Sequence, residues 1–154
     1  MKRILIGVVA LLCFLSVKGQ ESFLGKGEQA IKDSLYKANY VMQVRKQIAT
    51  TVVQLDFQYF DTDKFGDYEK RGTKDQIPNN TTPTATLTCI VEGGVCMRYI
   101  VGYMPDDVPA ILKYLNRKYK NTEKDHWVDA KGFLEADAYT TNDVFAIEFK
   151  RVEN

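Results

Sequence analysis

The 154-residue chain carries 21 Lys and Arg against 20 Asp and Glu, is 45% hydrophobic, and holds one histidine and three cysteines. Near-neutral charge with no dense Lys/Arg cluster leaves nothing to track a phosphate backbone, so no nucleic-acid partner is expected. One histidine and so few cysteines imply no cofactor and no metal or disulfide scaffold.

The chain opens on Met1-Lys2-Arg3, a cationic start, followed by an apolar run from Ile4 to Leu15 broken only by Gly7. Val17 and Gly19 stand where a signal peptidase reads small residues, so residues 1–19 read as a cleaved export signal. The run is too short to span a bilayer, which needs roughly 20 residues. No second such run follows, so no transmembrane segment is expected in the mature chain. Leu12 before Cys13 argues against lipidation, since a small residue normally precedes a lipidated cysteine. Loss of Lys2, Arg3 and Lys18 leaves 18 cations against 20 acids, a mature charge of −2. Residues 20–154 suit one domain large enough to bury a core. Periplasmic or extracellular placement follows from the signal.

After Phe23-Leu24-Gly25-Lys26-Gly27, the spacing of Ile31, Leu35 and Ala38 predicts a helix over Glu28–Ala38, with Asn39 as its C-cap. Tyr40 to Ala49 is ambiguous between more helix and an irregular strand. In Thr51 to Tyr59, Val53, Leu55, Phe57 and Tyr59 alternate with Val52, Gln54, Asp56 and Gln58, which predicts a half-buried strand. Residues 61–85 read as one long irregular loop, functional or mobile. Asp61-Thr62-Asp63 and Gly66 begin like a calcium loop, but Phe65 and Gly72 occupy ligand positions, so a solvated acidic turn is the better reading.

Leu87 to Val101 is the clearest hairpin, two β-rich runs around Gly93-Gly94. A three-residue loop, Glu92-Gly93-Gly94, pairs Val91 with Val95 and keeps Arg98 off the apolar face, where an unpaired charge is costly. That register sends Cys89 and Cys96 to opposite faces, predicting two free thiols, one buried and one partly exposed. The alternative, a tight Glu92-Gly93 turn, pairs Cys89 directly with Cys96 and allows a disulfide, but puts Arg98 on the face of Leu87 and Val91.

Met104-Pro105-Asp106-Asp107 then opens the best helix, with Asp106 as its expected N-cap. Val108, Ile111, Leu112, Leu115 and Tyr119 form one apolar stripe. Lys113, Arg117, Lys118 and Lys120 read as the solvated, cationic end of that helix. A short segment at His126-Trp127-Val128 follows, then Phe133 to Tyr139, a turn at Thr140-Thr141-Asn142-Asp143, and an alternating strand from Val144 to Val152. The sequence shows no internal repeat. The implied class is α+β: a single antiparallel sheet of about four to six strands with two helices packed on one face.

Two residue sets invite a functional reading. Tyr99, Tyr103, Tyr114, Tyr119, Trp127, Phe133 and Tyr139 exceed what a small core needs, and Tyr114 falls off its helix stripe, so an exposed aromatic binding surface is expected, with Tyr99, Tyr103, Tyr114 and Trp127 as its residues. The alternative is that the rings roof the sheet with their hydroxyls in water. His126, Asp129, Glu135 and Asp137 could serve a small hydrolase or lyase if they converge in a concave pocket. As a metal site, a lone histidine is weak, and Glu135 and Asp137 also suit an edge strand that discourages pairing.

Four segments carry a resemblance: Phe23-Leu24-Gly25-Lys26, Gly94-Val95-Cys96, Leu112-Lys113-Tyr114-Leu115-Asn116 before Trp127, and Asn142 to Phe149. Together they resemble a class of small exported proteins of Bacteroidota. That resemblance implies export and a compact α+β fold, and brings no activity or site residues. The leading expectation is a non-enzymatic module that binds a protein or other macromolecule of the cell envelope. A hydrolase near His126 and an inhibitor or immunity-type protein are the alternatives.

Overall fold

The computed structural model describes residues 23–38, 40–59, 83, 85–141 and 144–152. The export signal, the calcium-like segment, Asn39, the Asn142-Asp143 turn and the expected loop, apart from Pro83 and Ala85, lie outside those residues.

Helix α1 spans Glu28–Lys37, with Glu28 in its first turn and Lys37 in its last, where each charge suits the helix dipole. Ile31 and Leu35, four residues apart, are its buried pair. Strands β1 (Tyr40–Ala49), β2 (Val52–Tyr59), β3 (Ala85–Glu92) and β4 (Val95–Tyr103) follow, then a 3-10 turn at Pro105–Asp107 and helix α2 (Val108–Lys118). The chain closes with β5 (Lys120–Glu123), β6 (His126–Val128), β7 (Leu134–Thr141) and β8 (Val144–Arg151).

Among the described residues, these strands form one eight-stranded antiparallel sheet in the order β1-β2-β3-β4-β8-β7-β6-β5. The expected α+β arrangement of four to six strands is therefore incorrect: the fold is mostly sheet, with two short helices. The sequence reading falls short at the two edges: β5 is absent from it, and β1 is the segment left open between helix and irregular strand. Strand β1 hides its alternation because its pairing with β2 shifts between Met42 and Val44 and again between Gln47 and Ala49. Such bulges break the period of two and blunt an edge against unwanted pairing. Strand β5 is polar and exposed throughout, so no hydrophobic pattern could mark it.

The strand order also holds a repeat that the sequence conceals. Each half is one helix followed by a four-strand meander, and the fourth strands, β4 and β8, pair at the centre of the sheet. Arg98 to Tyr103 of β4 run opposite Lys150 to Phe145 of β8 along this seam.

One sheet face carries the core. Leu55, Phe57, Leu87, Cys89, Tyr99, Val101, Ala136, Ile147 and Phe149 pack there with Ile31 and Leu35 of α1 and Ile111, Tyr114 and Leu115 of α2. Each large apolar side chain so buried contributes roughly 1.5–3 kcal/mol. The alternations read in β2 and β8 hold: Leu55 and Phe57, and Ile147 and Phe149, are buried. Asp106 is not the N-cap of α2. It lies inside the 3-10 turn, and Asp107 precedes the helix without a side-chain capping bond. Pro109 sits in the first turn, where no intrahelical donor is lost.

The hairpin departs from the expected register. Its loop is the two-residue turn Gly93-Gly94, both at positive φ, and Glu92 pairs with Val95. A tight turn followed by unbroken alternation would bury Arg98. Instead the ladder slips beside Ile90 and Val91, leaving Met97 as the extra residue, so Arg98 pairs with Ile90 on the open face. The slip turns Cys96 inward. Both cysteines are fully buried and unbonded, not split between core and surface.

Candidate functional site

The four aromatic residues expected at a binding surface are core residues. Tyr99 is 0%, Tyr103 3%, Tyr114 7% and Trp127 3% exposed. Eight strands need more roofing than six, and these rings supply it beneath the helices. Tyr99 stacks on Phe149 with ring centroids 4.9 Å apart and meets Phe23 edge-on at 5.9 Å. Trp127 donates its indole N–H to Asn116 on α2. Tyr114 lies beneath the ammonium of Lys118, 5.7 Å from its ring centroid. No exposed aromatic patch can be built from this set.

The other sheet face carries a charged lattice. Strand register places Ile90, Arg98, Lys150, Glu135 and Val128 in one row across β3, β4, β8, β7 and β6. The next row is Thr88, Ile100, Glu148, Asp137 and His126. A third runs through Thr86, Gly102, Ala146 and Tyr139.

Ion pairs stitch these rows together. The Lys150 ammonium reaches Asp137 at 2.9 Å and Glu135 at 3.2 Å, and Arg98 reaches Glu148 at 3.3 Å. His126 Nδ1 lies 2.5 Å from Asp137 Oδ1. Farther along, the Asp56 carboxylate accepts from Thr88 Oγ1 at 2.7 Å and from the Gln54 amide.

Burial works against ionisation of Asp137, but the bonds from His126 and Lys150 outweigh it and hold its carboxyl below the ordinary aspartate range. The same carboxylate, aided by Glu135, raises the Lys150 ammonium above its usual value despite some desolvation. Tyr139 is pushed up by burial and by Glu148, with Arg98 opposing.

Three of the four residues proposed for a hydrolase therefore meet: His126, Asp137 and, through Lys150, Glu135. Asp129 does not. Its carboxylate accepts the backbone N–H groups of Phe133 and Leu134 at 2.7 and 3.1 Å and closes the β6–β7 connection. Asp137, held ionised, accepts from Nδ1–H of His126 and so orients the imidazole. The two sit on the open face of the sheet, opposite each other on β6 and β7. Among the described residues, no group of three or more His, Cys, Asp or Glu is placed to hold a metal ion.

Lys150, Arg98 and Glu148 were missed as site residues. The signal was present in the polar phase of the β8 alternation, where Glu148 and Lys150 share the face opposite Phe149. Among the described residues, no helix is long and apolar enough to cross a membrane. No protein-family model, curated protein or solved structure matches the chain. Geometry alone carries the functional argument.

Proposed function

We propose that this chain is a non-enzymatic binding module of the cell envelope that docks a protein partner on the open face of β4, β8, β7 and β6. The observation that carries this reading is that, among the described residues, both helices cover the same face of the sheet. Both helices contribute to a single core, while the opposite face keeps Arg98, Lys150, Asp137, Glu135 and His126 partly exposed, with side-chain accessibilities from 24% to 52%. Charges already arranged in register give specificity and association rate more than raw affinity. Tyr139 and Val144, 39% and 40% exposed, add apolar contact beside them. The cationic start and apolar run of residues 1–19 support export, and an inhibitor or immunity-type role is one form such docking could take.

The test is affinity capture of the tagged chain from gently solubilised envelopes of its host. Arg98→Glu/Lys150→Glu is compared with Lys113→Glu on exposed α2, and circular dichroism checks that each variant folds. A stoichiometric partner lost only with the sheet-face variant is the expected result. A partner retained by that variant, or none captured by the parent, overturns the reading.

A second reading, the small hydrolase, is favoured by the His126–Asp137 pair alone. It requires a bell-shaped pH–rate profile on some ester or glycoside, abolished by His126→Gln. Absence of turnover with a bound partner present removes it.

A further inference from the structure

The most specific unexplained arrangement is the cysteine pair on the core face. Cys89 lies opposite Tyr99, and Cys96 lies opposite Val91, with the ladder slip between these two pairings. Regular alternation from Tyr99 would send Cys96 to the open face. The slip instead puts both thiols on one face, fully buried, diagonal to each other across β3 and β4. Cys96 is also fixed by its backbone: its N–H donates to Lys26 O at 2.8 Å, and its carbonyl accepts from Gly25 N–H at 2.8 Å. The thiol hydrogen itself points to Arg98 O at 3.4 Å. These bonds fix the Cys96 backbone on the strand next to that of Cys89.

We propose that Cys89 and Cys96 form an intramolecular disulfide that locks the β3–β4 hairpin when the chain folds in an oxidising compartment. The reaction is exchange with a small disulfide such as oxidised glutathione. The Cys96 thiolate attacks one glutathione sulfur, the S–S bond breaks, and the first glutathione leaves as a thiolate that takes up a proton. Cys89 then loses its proton and attacks the Cys96 sulfur of the mixed disulfide, expelling the second glutathione. Two cysteine thiols are oxidised, and one disulfide is reduced to two thiols. The roles of the two cysteines are interchangeable, because neither is buried while exchange takes place. Because both sulfurs are buried in the finished fold, exchange precedes closure of the helices over the sheet.

The bond would also hold the strand against which Gly25 and Lys26 dock, and so the placement of Phe23 against Tyr99. The inference is independent of any partner. Its test uses the full chain carrying Cys13→Ser, which removes the third thiol. The chain is refolded from guanidinium with glutathione redox buffer, alkylated under denaturing conditions and mapped by mass spectrometry.

The expected result is a mass two hydrogens below the reduced chain, a peptide linking Cys89 to Cys96, and a melting temperature roughly 5–10 °C above the same sample after dithiothreitol. Adding Cys96→Ala should leave Cys89 fully alkylated and abolish the dithiothreitol-dependent shift. Two alkylated thiols in the Cys13→Ser chain, or a link that fails to raise the melting temperature, overturns the proposal.

Discussion

Trp127 donates its indole N–H to the Asn116 side-chain oxygen at 2.8 Å, tying the short strand β6 to helix α2. Strand β6 has three residues, and its neighbour β5 is exposed throughout, so local pairing gives this corner little stability. Trp127 is 3% exposed, and loss of its acceptor would leave a buried donor unsatisfied. Asn116→Ala is expected to cost about 1–3 kcal/mol. Urea unfolding followed by fluorescence measures it directly, because Trp127 is the chain's single tryptophan.

Gly102 is required by its neighbours and not by its backbone angles. A Cβ there would lie 2.4 Å from Thr86 Oγ1 and 3.0 Å from Val144 Cγ1. Gly102→Ala should therefore destabilise by about 1–3 kcal/mol, although alanine is otherwise the better strand residue. Adding Thr86→Ala removes the closest clash, so the double variant should recover at least about 0.5 kcal/mol relative to additivity. Strict additivity in a thermal-unfolding cycle would show that some other contact governs the site.

Among the described residues, the buried hydroxyls of Tyr99 and Tyr119 have no hydrogen-bond partner. Burial and the nearby Tyr119 and Tyr103 hydroxyls raise Tyr99 well above the usual phenol range, so it stays neutral and gains nothing from ionising. Tyr99→Phe keeps the stack on Phe149 and removes the orphan oxygen. It should be neutral to stabilising, by up to about 1 kcal/mol. A loss of stability in chemical denaturation would mean that this hydroxyl has a partner in solution.

Legibility in the sequence followed the strength of the periodic signal. Strands β2 and β8 alternate and face as read, because each is paired on both sides and packs Leu55 and Phe57, or Ile147 and Phe149, into the core. Strand β1 was obscured by its two bulges, and β5 has no apolar residue to reveal it. Charge aversion was the right principle in the hairpin, since Arg98 does stay outward. The chain satisfies it by a ladder slip rather than a longer loop, and that choice moves Cys96. Counting aromatics misled for a related reason: with β5 absent and β1 left open, the core looked too small to hold Tyr99, Tyr103, Tyr114 and Trp127. The polar lattice needs the pairing order of β4, β8, β7 and β6, and no local pattern discloses that β4 meets β8.

Acid should weaken the fold through two carboxylates. Glu28 is held at about 2 by Arg45 and Lys32 on the α1 side of β1, and Asp137 lies below its ordinary range beside His126 and Lys150. A carboxyl whose folded pKa lies below its unfolded one stabilises the fold fully above the unfolded value, near 4. That contribution is lost as pH falls through the folded value, so for Glu28 the window runs from about 4.5 down to about 2. Both side chains are partly exposed, at 24% and 32%, so solvent screening should keep each contribution below about 1 kcal/mol. Glu28→Gln and Asp137→Asn should therefore each be slightly less stable than the parent at pH 7, with the gap closing on acidification, for Glu28→Gln as pH approaches 2. Chemical denaturation across that range checks the sign. A gap that widens on acidification would mean that these carboxylates are not the groups whose protonation weakens the native state.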